Sequence, residues 1–178
     1  MPEHCWYEDL RSKWKPEKIN LLLIGESPPD GGGDPAKRRF FYAERLSQSD
    51  NLFRSVIHAL YNSWKLTKGE FKTPWHQKLF DDGVYLIDLA PVPVNHLSSI
   101  QRRKILRGSV EGCVEKVLKL GPAGVVVCHT PSFGFIAEPL RDAGVLLLHD
   151  APIPFPLGNK RAEFVEKMRA AVTRLPSD

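Results

Sequence analysis

The architecture of the chain is set by a short apolar run, Ile19-Asn20-Leu21-Leu22-Leu23-Ile24, which is followed directly by Gly25. A run of this length and character is typical of a strand that is buried on both faces. The next segment, residues 26–35, is rich in proline and glycine, which disfavour regular structure. We therefore predict a strand followed by a long loop, and long loops in compact domains are usually functional or mobile.

Three further apolar runs follow the same pattern, at residues 84–88, 124–128 and 144–148. Helices are predicted around them at residues 51–64, 74–82, 98–120, 131–143 and 160–174. Buried strands that alternate with helices are typical of a parallel sheet with right-handed crossovers. The predicted fold is α/β, a three-layer α/β/α arrangement with a central four-stranded parallel sheet. On the helix at 98–120, the expected core-facing residues are Ile100, Ile105, Val110, Val114, Val117 and Leu118.

The composition is that of one conventional domain spanning residues 1–178. Hydrophobic residues make up 42% and charged residues 26%, which allows a buried core and argues against global disorder. No apolar run approaches the roughly 20 residues that cross a bilayer, and the first residues lack the pattern of a secretory signal. Cys5, Cys113 and Cys128 predict neither a disulfide framework nor a CxxC metal pair. We expect a cytoplasmic monomer that does not associate with membranes.

The positive charge is concentrated in the middle of the chain. The formal net charge is +4, but residues 1–36 carry −3, residues 37–107 carry +7 and residues 108–178 are neutral. The excess lies mainly in two clusters, residues 37–39 and residues 102–104 with Arg107. Such clustering indicates an anionic partner, nucleic acid foremost, although a solvated basic face is an equally ordinary explanation.

Each predicted strand is followed by, or ends in, a group capable of chemistry. These groups are Glu26, Asp88, His129 and His149. Ligands of open parallel sheets bind beyond the carboxyl ends of the strands, so the four side chains are expected to converge there. Taken singly, each has an ordinary explanation, such as a helix cap or an exposed side chain. As a set they indicate a functional site.

Three other kinds of site find little support in the residue spacing. A metal site built from the two histidines and two carboxylates would lack any HxH, HxxxE or HExxH pattern. The triple glycine at 31–33 lacks the GK[ST] ending of a phosphate loop. Ser27 lacks the GxSxG context of a nucleophile. We therefore expect neither a metal nor another cofactor.

The segments at residues 25–29 and 149–154 resemble two motifs of the uracil-DNA glycosylase superfamily. Gly25-Glu26-Ser27-Pro28-Pro29 is similar to its first motif, and His149-Asp150-Ala151-Pro152-Ile153-Pro154 to its second, a histidine before a proline-rich loop that inserts into DNA. Residues 38–42 lie where these enzymes carry the aromatic residue that stacks on the extruded base, and residues 84–88 match the strand that supplies the base-reading side chain. The resemblance extends from about residue 18 to residue 172 and implies a uracil-DNA glycosylase-like fold.

The resemblance also implies roles for particular residues. Base excision requires the target base to leave the helical stack and enter a pocket. His149 would donate a hydrogen bond to the departing base, and Glu26 would favour the sugar cation or orient the attacking water. Phe40 or Phe41 would stack on the base, and Asp88 would read its edge. An equally ordinary explanation of the two phenylalanines is burial in the core.

The DNA backbone would be held by the prolines and by the start of the closing helix. Helix N-terminal amides and cations bind phosphates, and an apolar side chain could fill the space that the base leaves. The alternative is a loop that packs its apolar residues onto the domain. The expected DNA-binding residues are Pro28, Pro152, Phe155, Leu157, Asn159, Lys160 and Arg161.

Three features depart from the superfamily pattern. Asp88 stands where an asparagine is expected, and an ionised aspartate only accepts hydrogen bonds, so it suits uracil poorly. Either Asp88 is protonated, or Asn95 or another donor reads the base, or the substrate is not uracil. Pro29 replaces a glycine at the end of the first motif. The scattered cysteines cannot hold the iron–sulfur cluster of some branches.

The expected function is therefore a DNA glycosylase that removes uracil or another deaminated base from single- or double-stranded DNA. Two alternatives remain open from the sequence. One is a non-catalytic protein of the same fold that binds abasic or single-stranded DNA. The other is an enzyme with an α/β fold that hydrolyses small nucleosides or nucleotides.

Overall fold

The computed structural model describes residues 5–30 and 39–177. Its sheet has three parallel strands, which are β1 (Leu21–Gly25), β2 (Val84–Asp88) and β3 (Gly124–Val127), in the order β2-β1-β3. Every residue of these strands is buried except Asp88 at the end of β2, which is slightly more exposed than the rest. The protein is thus α/β, as predicted, and its apolar runs are buried on both faces because helices surround an open sheet.

The helices form two groups around the sheet. Helices α2 and α7 pack on each other, whereas α4 and α5 pack with α6. The β1-to-β2 and β2-to-β3 connections run in opposite directions along the sheet, so right-handed crossovers would put their helices on opposite faces. No helix in the described part of the chain is long and apolar enough to cross a membrane. The helices are α1 (Trp6–Lys13), α2 (Asn51–Tyr61), α3 (Thr73–Asp81), α4 (Ser99–Gly108), α5 (Val110–Leu120), α6 (Thr130–Asp142) and α7 (Arg161–Val172), with a 3₁₀ turn at Gly158–Lys160 before α7.

The fourth strand predicted at residues 144–148 is absent. This segment makes a single parallel bridge, in which Val125 N–H donates to Leu146 O and Leu148 N–H donates to Val125 O. The next bond of a parallel ladder would run from Val127 N–H to Leu148 O. Val127 N–H donates instead to Nε2 of His149, at 3.0 Å. The side chain of His149 therefore replaces the ladder bond, and the strand does not continue.

The long helix predicted at 98–120 is divided into α4 and α5 at Ser109. The Ser109 hydroxyl donates to Ile105 O at 2.7 Å, a local bond that competes with the helical pattern. Because of this break, the expected core face is only partly correct. Val117 is buried, and Ile105, Val110 and Val114 are partly buried against the core. Ile100 is 83% exposed and Leu118 is 52% exposed, whereas Leu106 and Cys113 also fill the core.

Candidate active site at the carboxyl edge of the sheet

A cavity of about 710 Å³ lies at the carboxyl ends of the three strands. Glu26 follows β1, Asp88 ends β2 and His129 comes shortly after β3, and all three line the cavity. The predicted convergence of strand-end groups is therefore confirmed for three of the four residues. The other lining residues include Pro28, Arg39, Phe40, Phe41, Asp50, Asn95, Arg102, Phe155 and Leu157.

Glu26 is held between two positively charged or proton-bearing groups. Its Oε1 accepts a hydrogen bond from Arg102 Nη2, and its Oε2 lies 2.7 Å from His129 Nε2. Oε2 makes no hydrogen bond to any other group of the described residues. Burial alone would raise the pKa of Glu26, but His129 and Arg102 together bring it below its ordinary value. The carboxylate is consequently ionised at neutral pH.

The orientation of His129 is fixed by the first turn of α6. His129 is the N-cap of this helix, and Ser132 N–H donates to its Nδ1 at 3.3 Å. The Ser132 hydroxyl lies 2.7 Å from the same nitrogen. Because Nδ1 accepts, the neutral ring carries its proton on Nε2, the nitrogen that faces Glu26. The sequence indicated His129 as a strand-end residue that could also cap a helix, and it indicated Arg102 only as part of a basic cluster.

Asp88 forms a buried ion pair with Arg11 of α1, a helix that the sequence analysis did not predict. Arg11 Nη2 donates to Asp88 Oδ2 at 2.8 Å, and both side chains are more than nine-tenths buried. Burial raises the pKa of Asp88, and the Arg11 guanidinium opposes that shift. Arginine stays protonated in proteins, so a neutral Asp88 would leave this buried cation without its closest partner. We therefore treat the pair as ionic.

Gly25 leaves the space that the Asp88 carboxylate occupies. A Cβ atom at residue 25 would lie 2.6 Å from Asp88 Oδ1, which is closer than real side chains approach. The glycine at the end of β1 is thus required by the position of a side chain on β2. Its partner in the strand register is Asp88 itself.

An aromatic wall is formed by Phe40 and Phe41, which line the cavity although both are largely buried. Their backbone is fixed by buried polar side chains. Lys72 Nζ donates to Phe40 O at 2.9 Å, and His76 Nε2 donates to Phe41 O at 2.9 Å. The ring of Phe40 makes edge-to-face contacts with the neighbouring Tyr42. The two phenylalanines therefore belong both to the core and to the cavity wall.

The residues expected to bind DNA occupy different positions. Pro28 lies on the cavity wall, and Phe155 and Leu157 are exposed at the cavity. Arg161 Nη2 donates to Asn51 Oδ1 at 2.6 Å, which ties the start of α7 to α2. Three others are exposed and do not line this cavity, namely Pro152, Asn159 and Lys160. In the basic cluster 37–39, Lys37 and Arg38 lie outside the described residues.

His149 does not line the cavity. Its Nδ1 donates to Ala151 O at 2.8 Å, and its Nε2 accepts from Val127 N–H. Its ring also packs against Phe133, with the ring centroids 5.0 Å apart. Both ring nitrogens therefore form hydrogen bonds to the backbone, and the ring has no proton left to donate to a base in the cavity. This geometry does not fit the catalytic role expected from the sequence and makes His149 part of the framework that ends the sheet.

Replacement of His149 by alanine is expected to lower the free energy of unfolding by about 1–3 kcal/mol, because the buried Val127 N–H and the Ala151 carbonyl lose their partner. Burial lowers the pKa of His149, so the unfolded chain binds its proton more readily. Wild-type stability should consequently fall as the pH decreases below about 6.5, and this contribution should vanish in the variant. Urea unfolding between pH 5 and 8 measures both effects. His96→Ala, in an exposed loop, is the control, and equal stability of the two variants would contradict the framework role.

Within residues 5–30 and 39–177, no group of three or more histidine, cysteine or acidic side chains could hold a metal ion. What the cavity offers is an anionic carboxylate beside a histidine, an aromatic wall and arginines among its lining residues. This combination could stabilise a developing cation and bind a flat, polar ring. No protein-family model matches the chain, and no curated protein matches it either.

Proposed function

We propose that this protein is a DNA glycosylase, which hydrolyses the N-glycosidic bond of a base that has left the DNA helix, and that its α/β fold is of the uracil-DNA glycosylase kind. The cavity around Glu26 is the observation that carries this proposal. It combines an ionised carboxylate, the wall of Phe40 and Phe41, and the cations Arg39 and Arg102. Uracil and other deaminated bases are the first substrates to test.

In the proposed reaction, the bond between C1′ of the sugar and the base nitrogen breaks, and its electron pair leaves with the base. The sugar becomes cationic, and Glu26 stabilises this charge. A water molecule then forms the new C1′–O bond and gives up its proton, for which Glu26 is the general base. His129 and Arg102 keep the carboxylate ionised and oriented. The departing base takes its hydrogen bonds from donors on the cavity wall, among which Asn95 and Arg102 are candidates.

DNA is the proposed partner of the surface around the cavity. Arg39 is exposed at the cavity, and further exposed cations lie on α4, which are Arg103, Lys104 and Arg107. Such cations bind phosphates without reading sequence. Phe155 and Leu157 are apolar and exposed beside the cavity, where either could fill the gap that an extruded base leaves. The proposal takes the protein to act as a monomer.

Incubation with labelled oligonucleotides followed by alkali tests the reaction, since an abasic site breaks under alkali. The panel contains uracil, hypoxanthine, xanthine, mismatched thymine and oxidised or alkylated guanine, in single and double strands. We expect strand breakage with at least one base, and affinity that weakens steeply with added salt. If none of these strands breaks, the protein is not a DNA glycosylase for these bases. If the affinity for DNA does not change with added salt, an enzyme that acts on small nucleosides is favoured.

A non-catalytic role in DNA binding is the second candidate. It is supported by the engagement of Glu26, because each of its oxygens already lies beside a partner, Arg102 or His129. A carboxylate that is paired on both oxygens could stabilise the cavity wall without taking part in a reaction. A gel shift with oligonucleotides that contain an abasic site, without breakage of any base-containing strand, would support this candidate.

A further inference from the structure

We infer that Asp88 makes this cavity selective for a base whose pairing edge presents two adjacent hydrogen-bond donors, as guanine-type purine lesions do, and selective against uracil. The inference rests on the proposed function and narrows its substrate class. It keeps the reaction but replaces the deaminated base with one that retains its amino group.

The first step is the position of the carboxylate. Asp88 lines the cavity together with Gly25, Phe40 and Leu86. Its Oδ1 lies over Gly25, within 2.6 Å of the position that a Cβ would take. The guanidinium of its partner Arg11 lies 5.7 Å from the centre of the Phe40 ring, so Asp88 is next to the aromatic wall on which a base would stack.

The second step is the charge of Asp88. The ion pair with Arg11 holds Oδ2 at 2.8 Å from Nη2, in surroundings that are nearly closed to solvent. A buried arginine without its counterion would be costly, which keeps the carboxylate ionised. Each carboxylate oxygen has two lone pairs, and Arg11 uses one of them. The carboxylate can thus still accept hydrogen bonds from a ligand.

The third step is the match between the Asp88 carboxylate and the hydrogen-bonding edge of the base. An ionised carboxylate only accepts hydrogen bonds. The pairing edge of uracil presents a single N–H between two carbonyl oxygens, so at least one oxygen would face the negative charge of Asp88. Guanine, 8-oxoguanine and 7-methylguanine present N1–H beside the 2-amino group, which are two donors for two carboxylate oxygens. The cavity volume of about 710 Å³ leaves room for a purine.

Among the described residues, the other two carboxylates that line the cavity, Glu26 and Asp50, are not available to accept hydrogen bonds from a base in the same way. Glu26 is engaged by Arg102 and His129, and Asp50 is bonded through Oδ2 to Lys72 at 2.6 Å. Asp50 is also almost completely buried. The selectivity is therefore assigned to Asp88, and its conversion to an amide should change which base is preferred.

Single-turnover excision from duplexes that contain 8-oxoguanine, 7-methylguanine or uracil tests the inference. Wild-type protein should remove at least one of the guanine-type bases about tenfold or more faster than uracil. Asp88→Asn gains an amide donor for a carbonyl and loses an acceptor, so it should reverse this ratio by about tenfold or more. A ratio measured within one variant does not depend on how much of the sample is folded. Asp142→Asn, an exposed carboxylate at the end of α6, is the control and should keep the wild-type ratio.

Because Asp88→Asn removes the nearest counterion of Arg11 and leaves it only Glu8, at 3.7 Å, the double variant Arg11→Gln with Asp88→Asn provides a second measurement. It removes both charges and should show the same reversal. Faster removal of uracil by wild-type protein, or equal ratios in wild type and both variants, would overturn the inference while the proposed function stands. If no base is excised, the proposed function fails, and calorimetric titration with 8-oxo-2′-deoxyguanosine and deoxyuridine decides the inference. Tighter binding of the guanine-type nucleoside, lost in Asp88→Asn, would uphold it, and equal or weaker binding would overturn it.

Discussion

Glu26→Gln is expected to lower the single-turnover rate of base excision by about a hundredfold or more, with the affinity for DNA largely unchanged. Glutamine has nearly the same shape as glutamate, so the cavity wall remains filled. It carries no charge to stabilise the sugar cation and cannot accept the proton of the attacking water. Rates measured with enzyme in excess over a labelled substrate duplex, with binding followed separately by fluorescence anisotropy, distinguish these two effects.

The pH dependence adds a second test of the same carboxylate. His129 and Arg102 bring the pKa of Glu26 below its ordinary value, although burial alone would raise it. The ionised form therefore persists to lower pH, and the acid limb of the wild-type rate should lie below about pH 4.5 wherever the protein remains folded. Glu115→Gln, which changes an exposed residue of α5, should leave rate and pH profile unaltered. A normal rate in Glu26→Gln would make the carboxylate a structural anchor for Arg102 and would favour the non-catalytic candidate.

The sequence allowed the strands to be predicted where the chain is continuously apolar and its backbone pairs without interruption along the whole run. The run before Gly25 and the run at 84–88 became β1 and β2 with nearly the predicted bounds. The run at 144–148 is equally apolar but lies at the edge of the sheet, where one side chain can compete for a ladder bond. His149 does so through Val127 N–H. Apolar character alone does not reveal such competition, so the fourth strand was predicted in error.

The candidate site also contains some residues that could be predicted from the sequence and others that could not. Glu26, Asp88 and His129 could be predicted to converge because strand ends meet at one edge of a sheet. Arg11 could not, since it lies 77 residues from Asp88 in the chain and its charge is typical of an exposed helix face. The ordinary explanations considered for His129 included helix capping, and it does cap α6 while also facing Glu26. Local sequence indicates which groups are available, whereas their pairing depends on contacts between distant elements.

A buried lysine beneath the aromatic wall is the clearest case of a contact that local sequence does not reveal. Lys72 is 0% exposed. Its Nζ donates to Asp50 Oδ2 at 2.6 Å and to Phe40 O at 2.9 Å, and it lies 4.2 Å from the centre of the Phe53 ring. Burial lowers the pKa of Lys72 and raises that of Asp50, and the contact between them opposes both shifts. The pair thus ties the wall of the cavity to the start of α2.

Lys72→Met is expected to lower the free energy of unfolding by about 3–5 kcal/mol, because it leaves the Asp50 carboxylate buried without its partner. Adding Asp50→Asn should restore much of this loss, since the double variant contains no buried charge at this site. Urea unfolding of both variants measures the difference, with Lys78→Met as the control, because Lys78 is half exposed and makes surface contacts with Asp82 at 3.8 Å and with the Tyr61 ring. If Lys72→Met were as stable as the control, Lys72 and Asp50 would contribute no net stabilisation. An unimproved double variant would instead assign the loss to the bond with Phe40 O, and hence to the aromatic wall itself.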